Sequence, residues 1–284
     1  MRGLAFALAD LHGDFKPVRE LEKAIKDELP YAFDADEPRK NTLILLGDTG
    51  ANFFFNHRDE NLKEKLGKYD FTYFVIRGNH DQRASICMQD NSEAWGVEEF
   101  WGNLVYVEKA YPYIKYAMDT PSCYYIPYTT YPESDELHEG DPIEKTFKTL
   151  VIPGAYSVDK YHRLQMGWSW FESEQLTEKE MEDTRQYLEN IGKDFDLILS
   201  HTCPIIFEPT DLFLPTVDQS MVDKSMERFL GELEYKLNYT AWMWGHYHAT
   251  RDYPRTDGRK KLMLYNEKAV EISEYILAEE VIYY

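Results

Sequence analysis

Five short segments of this 284-residue chain carry residue types that hold metal ions. They are Asp10-Leu11-His12-Gly13-Asp14, Gly47-Asp48, Gly78-Asn79-His80-Asp81, the lone His201, and Gly245-His246-Tyr247-His248. Two carboxylates, an amide oxygen and several imidazoles make a mixed oxygen and nitrogen donor set. Such a set suits manganese, iron, zinc or cobalt, with manganese and iron preferred here. It suits less well calcium, which takes oxygen throughout, or an ion that takes thiolates. In Asp10-Leu11-His12 and in His246-Tyr247-His248 the donors stand two residues apart. In extended chain, positions i and i+2 point the same way, so each pair can face one cavity.

These segments need elements to bring them together, and the hydrophobic pattern supplies them. Short apolar runs cover residues 4–9, 42–46, 71–76, 149–152, 197–199 and 241–244. Runs of this length suit strands buried on both faces. All but the 149–152 run lead directly into one of the donor segments. In open α/β sheets the functional crevice lies beyond the carboxyl ends of the strands, where all five would meet. Helical spacing of apolar residues is read over 17–29, 60–66, 177–191 and 218–237, with a capping-box pattern at Thr177 to Glu180. Alternating strands and helices predict an α/β layered fold. Asp257-Gly258 marks a hairpin between 251–253 and 262–265, and residues 269–273 and 275–284 read as further strands. The simplest organisation is a single domain over 1–284. An irregular insertion, rich in Tyr and Pro and acidic at 133–141, occupies about 84–148 and is expected to cover the mouth of the site.

Composition narrows the partners. Lys plus Arg number 31 and Asp plus Glu 51, a formal charge of −20. This balance argues against nucleic acid and against an anionic membrane surface, since both demand Lys and Arg. No apolar run has the length of a membrane span. The first nine residues resemble a short signal peptide, but Asp10 interrupts the apolar stretch and the segment reads as a buried strand. Cys87, Cys123 and Cys203 are too few and too scattered for a disulfide framework or a zinc site, which fits a reducing compartment and a cytoplasmic location.

Taken in order, Asp-x-His, Gly-Asp, Gly-Asn-His-Asp, a lone His and Gly-His-x-His resemble the calcineurin-like metallophosphoesterases. The matching motifs run from Asp10 to His248. The resemblance implies a metallo-dependent phosphatase fold, a four-layer αββα sandwich of two mixed β-sheets flanked by helices. It implies a dinuclear metal centre as well. Asp10, His12, Asp48 and His248 would hold one divalent ion, and Asp48, Asn79, His201 and His246 the other, with Asp48 bridging. The implied activity is hydrolysis of a small phosphoester, as a phosphatase or a phosphodiesterase, by a metal-bound hydroxide that attacks phosphorus. Two divalent ions less two carboxylates and a hydroxide leave the centre positive by about one charge, enough to attract a phosphate ester to an acidic chain. Asp48 and His80 are the expected catalytic residues, with His80 donating to the leaving oxygen. Asn79, His80 and Arg77 are expected to bind substrate.

The chain also departs from the family. Phosphoprotein phosphatases carry an Asp-Arg pair just after the Gly-Asp motif, and here Ala51 and Asn52 stand there. That argues against a phosphoserine or phosphothreonine phosphatase, and leaves Arg77 and Arg83 as alternative sources of positive charge. Other roles compete for individual residues. Asp10 or Asp48 alone serves equally well as a helix N-cap, and His201 alone as a core histidine. For His80, ligand, acid and structural roles all fit. Asp14 and Asp81 read as supporting or capping groups, with Asp81 able to orient His80. His57, His138 and His162 read as surface residues, Cys203 as a buried thiol, Trp168 as packing or site wall, and Tyr124, Tyr125, Tyr128 and Tyr131 as packing, with the lining of a substrate mouth as the alternative. Two other functions remain as alternatives: a non-catalytic protein-binding scaffold on the same fold, and a nuclease of the same superfamily.

Overall fold

A computed structural model of the chain describes residues 3–34, 36–130 and 142–284. The apolar runs become strands. β1 (Ala5–Leu8), β2 (Thr42–Leu45), β3 (Thr72–Val75) and β6 (Ile114–Tyr116) are parallel neighbours. β5 (Asn103–Glu108) and β4 (Trp95–Phe100) extend this sheet antiparallel on one side, and β13 (Val270–Glu271) on the other, in the order β13-β1-β2-β3-β6-β5-β4. The second sheet has a parallel centre of β8 (Ile143–Ile152), β9 (Asp194–Ser200), β10 (Asn238–Trp244) and β12 (Lys260–Met263). Its edges, β7 (Ser122–Thr130) and β11 (Arg251–Asp252), run antiparallel to their neighbours.

Strand alternation divides the apolar residues among three cores. Ala5, Ala7, Ile44 and Phe74 face inward and meet Val151, Leu197, Leu199 and Met243 between the sheets. Phe6, Leu8, Leu43 and Tyr73 face outward, where Val18, Leu21 and Ile25 of α1 (Lys16–Glu28) and Leu66 of α2 (His57–Leu66) cover them. On the far side Ile198, Trp242 and Trp244 pack under Met181 and Leu188 of α5 (Glu178–Ile191) and Phe229, Leu230 and Leu233 of α6 (Ser225–Lys236). The result is the expected four-layer sandwich of two mixed sheets between helices. The predicted capping box is formed: Thr177 Oγ1 accepts from Glu180 N (3.2 Å), and Glu180 Oε2 accepts from Thr177 N (2.8 Å). Among the described residues no helix is long and apolar enough to cross a membrane.

Three expectations change. The stretch at 84–148 is not irregular where it is described. It holds α3 (Ala84–Asp90), β4 to β7 and the start of β8. Tyr and Pro gave it the look of a loop, yet Tyr is a good strand residue, and Pro127 sits on an edge strand, where a missing N–H costs no central pairing. Tyr124 is fully buried and its hydroxyl accepts from Met118 N (3.0 Å), while Tyr128 stacks on Phe147. The acidic residues 133–141, with His138, and Tyr131 lie outside the described residues. At the C-terminus only Val270–Glu271 pairs as a strand, and Ile272–Leu277 forms helix α7. Finally, the helix expected at 218–237 begins only at Ser225.

Candidate metal centre

Because both sheets have parallel centres, their carboxyl ends can meet. Asp10, Asp48 and Asn79 follow β1, β2 and β3, and His201 and His246 follow β9 and β10. Backbone hydrogen bonds tie these turns together. His12 N donates to the Asp48 carbonyl (2.8 Å), and Gly245 N to the His201 carbonyl (2.9 Å). His246 N crosses between sheets to Asp10 Oδ2 (2.9 Å), and His80 N donates to Asp48 Oδ1 (2.8 Å).

The backbone at these residues is unusual. Among the described residues, eight non-glycine positions have positive φ, and five of them are Asp10, His12, Asp48, His246 and His248. An L-residue pays about 1–2 kcal/mol for this conformation. Its clustering at predicted ligands marks strain held by the surrounding fold in order to aim side chains. Close approach adds to this. A Cβ on Gly78 would lie 2.1 Å from Asp48 Oδ1, and one on Gly47, itself at φ +96°, 2.1 Å from His201 Nδ1.

The donor atoms converge. Oxygens and ring nitrogens of Asp10, His12 and His248 lie within 4.8 Å of one another, as do those of Asp10, Asp48 and His201, and those of His12, Asp48 and His80. Asn79 donates its amide N–H to Ser157 Oγ (3.0 Å), which turns its Oδ1 toward His201 Nε2 (2.9 Å) and His246 Nδ1 (3.1 Å). His201 Nδ1 donates to the Leu46 carbonyl (2.6 Å), so a neutral His201 presents a bare Nε2 to Asn79 Oδ1 and, at 3.5 Å, to Asp48 Oδ1. His12 and His248 face each other Nε2 to Nε2 at 2.9 Å. Acceptors crowded in this way repel unless a proton or a cation lies among them. The donor set, its burial and this convergence all fit divalent ions.

The titration of these groups reflects the same crowding. Burial, and then the charge of Asp48, raises the Asp10 carboxyl well above the usual range. Asp48 is held well below that range, because the His80 and His201 imidazoles outweigh its burial. Burial alone would lower His201, but the Asp48 carboxylate overrides it and pushes the imidazolium up to about 9. Burial lowers His12 to about 4, and lowers His246 and His248 too. The seven predicted ligands therefore form one compact set, four of them (Asp10, Asp48, Asn79 and His201) almost wholly out of solvent.

His80 borders this set, its Nε2 3.8 Å from Asp48 Oδ2. Arg163, from α4 (Lys160–Met166), comes within 3.4 Å of the same Nε2 through Nη2 and is anchored by Asp159 Oδ2 on its Nε (2.7 Å). Sequence reasoning missed this arginine. Its only signal is an Asp-Arg pair spaced i, i+4, which says nothing of the site. A cavity of about 500 Å³ opens here, lined by His12, His80, Arg58, Arg163, Phe53, Phe54 and Trp168.

Arg77 is not in that cavity. It is buried, donates from Nη1 to the Glu174 carbonyl (2.6 Å) and sits 3.8 Å from Asp119. With Ala51 and Asn52 it lines a separate internal cavity of about 10 Å³. Arg83 pairs with Glu180. Asp81 accepts from the Gly78, Thr49 and Gly50 N–H groups, fixing two site turns rather than the His80 ring. Asp14 accepts from Lys16 N at the start of α1. His57 and His162 lie on the exposed faces of α2 and α4. Burial raises Cys203 well above its ordinary value, which keeps it a thiol.

A family model described as calcineurin-like phosphoesterase matches residues 6–250. No curated protein matches the chain in sequence. Among solved structures, a protein of Thermus thermophilus, TT1561, superposes with TM-score 0.52 at 11% identity, covering 100% of this chain and 99% of its own. A phosphopantetheinyl hydrolase from Mycobacterium tuberculosis gives 0.43 at 12% identity, over 100% and 96%. A dimetal phosphatase from Danio rerio gives 0.46 at 10%, over 95% and 92%.

Proposed function

The chain belongs to the calcineurin-like phosphoesterase family, and from that premise we propose that it hydrolyses small phosphoesters at a dinuclear centre. Asp10, His12, Asp48 and His248 hold one divalent ion and Asp48, Asn79, His201 and His246 the other, with manganese or iron preferred. The observation that carries this reading is the convergence of these seven side chains beside a cavity lined by His80 and Arg163. Asp48 is the bridging group: its Oδ1 lies 3.5 Å from His201 Nε2 and its Oδ2 3.8 Å from His12 Nε2.

When bound, a pair of divalent ions neutralises phosphoryl charge and acidifies a water toward neutral pH. The chain's own groups do the rest. His80 hands a proton from Nε2 to the departing ester oxygen. Arg163 donates N–H to a phosphoryl oxygen beside His80, the task for which Arg77 is too deeply buried. Phe53, Phe54 and Trp168 wall the organic part of the ester and keep water from it, and Arg58, set over Phe54 at 5.0 Å, adds positive charge. The free, buried cysteines fit a reducing compartment, and we place the protein in the cytoplasm.

The test combines metal analysis of the purified chain with a panel under Mn²⁺: a nucleotide, a nitrophenyl monoester, a diester and single-stranded DNA. Turnover of a small ester supports the reading. Cleavage of DNA alone would favour the nuclease, and bound metal with no turnover on any ester would favour the scaffold. Asp48→Asn should remove nearly all turnover; full activity with full metal loading would contradict its bridging role.

A further inference from the structure

The ligand set is flanked by a second cavity, of about 410 Å³. It shares His246 and His248 with the centre, whereas the arginine-bearing cavity shares His12 and His80. Both have the size of small-molecule sites. Their chemistry differs. The second is walled by Val158, Phe213, Leu214, Val217 and Val222, and Leu214 is 58% exposed, so apolar surface stands open beside a highly charged centre. Gln219, Lys224 and Glu227 interrupt this wall with polar groups. Glu227, on α6, is 3% exposed. Its Oε1 accepts from Thr202 Oγ1 (2.9 Å), while its Oε2 has no partner among the described residues. Gln219 Oε1, on the same cavity, likewise has no partner among the described residues, and two unpartnered buried oxygens on one cavity wall point to a partner supplied from outside the chain.

We infer that this second cavity binds one arm of a phosphodiester: an apolar chain or ring bearing a hydroxyl, which meets Glu227 Oε2. The inference rests on the phosphoester reading above. The phosphate sits at the metal centre, and the other ester arm enters the cavity of Arg58 and Arg163. A monoester has only one organic arm and leaves one cavity unused. A diester with unlike arms fills both. Hydrolysis adds one water, breaks one P–O ester bond and yields a phosphomonoester and an alcohol, the alcohol oxygen taking its proton from His80.

The experiment uses the manganese-loaded full chain. Substrates are 4-nitrophenyl phosphate and its methyl, butyl and hexyl diesters. Each methylene buried in an apolar cavity should raise kcat/KM by up to about fourfold. The hexyl diester should then exceed the methyl diester at least thirtyfold, and exceed the monoester. Leu214→Asp, a change at an exposed position, and Val217→Asp should both collapse that ratio toward one. Arg163→Gln should slow every ester by a similar factor and keep the ratio. Among hexyl esters with one hydroxyl at successive carbons, one position should gain at least threefold over the parent, and Glu227→Gln should alter that gain. A flat chain-length series, or preference for the monoester, overturns this inference and leaves phosphoester hydrolysis standing. No turnover of any ester by metal-loaded protein overturns both.

Discussion

His201 donates from Nδ1 to the carbonyl of Leu46 at 2.6 Å. This single bond fixes the tautomer and the ring plane of a neutral His201, and so turns Nε2 toward Asn79 and Asp48. A partner behind a metal-binding imidazole commonly does this work. Here the partner is backbone, the last residue of the apolar run that leads to Asp48, so one loop both supplies a carboxylate and aims the histidine facing it.

Metal uptake should release protons. Against its burial, the Asp48 carboxylate raises His201 to about 9, so it carries a proton at pH 7 in the absence of cations, and burial raises the Asp10 carboxyl in the same sense. Cations need them unprotonated. Calorimetry of Mn²⁺ binding in buffers of different ionisation enthalpy should find on the order of one proton released at pH 7, and fewer at pH 9, where His201 is already half neutral. Release that is absent at pH 7 would contradict the assigned environment.

Arg163→Gln should lower kcat/KM by about tenfold to a hundredfold, the loss of about 1.5–3 kcal/mol expected for a hydrogen bond to a charged group. Metal content should not move, since Arg163 touches His80 and none of the seven ligands. Loss of metal in this variant would make it a structural residue.

Gly78→Ala should cost about 1–3 kcal/mol of folding free energy, as overpacking does elsewhere, because its methyl would meet Asp48 2.1 Å from Oδ1. Urea unfolding together with metal analysis checks both consequences: a lower midpoint, and weaker metal retention. A neutral result would mean that the turn has more room than the geometry gives it.

Glu227 makes stability depend on pH. Burial raises its carboxyl to about 7 in the folded chain, above an ordinary 4.5. The protonated form is thus favoured by folding. Its stabilising effect is complete below about pH 4.5 and is lost as pH rises through about 7. Relative to Glu227→Gln, wild-type protein stripped of metal should lose a few kcal/mol between pH 5 and pH 8. Thermal unfolding of the pair across that range should show the gap in Tm widening with pH; a constant gap would place Glu227 in a wetter setting.

The sequence made the donor residues legible because their types and spacing survive without coordinates. Asp10-x-His12 and His246-x-His248 stand out, and each follows an apolar run. The way they meet was less legible. Asp10, His12, Asp48, His246 and His248 adopt left-handed backbone, so strand alternation is not what aims them. Arg163 was hidden because a helix outside the motifs carries it to His80, and Arg77, adjacent to a motif, points instead into a buried layer. β7 was hidden by Pro127 and its tyrosines, since composition alone does not tell an edge strand from a loop.

The central claim is that Asp10, His12, Asp48, Asn79, His201, His246 and His248 grip two cations. Anomalous scattering from a crystal of the manganese-loaded protein tests it most directly. The prediction is two peaks: one among Asp10, His12 and His248, the other among Asn79, His201 and His246, with Asp48 touching both. A single peak, or peaks elsewhere on the molecule, would contradict it.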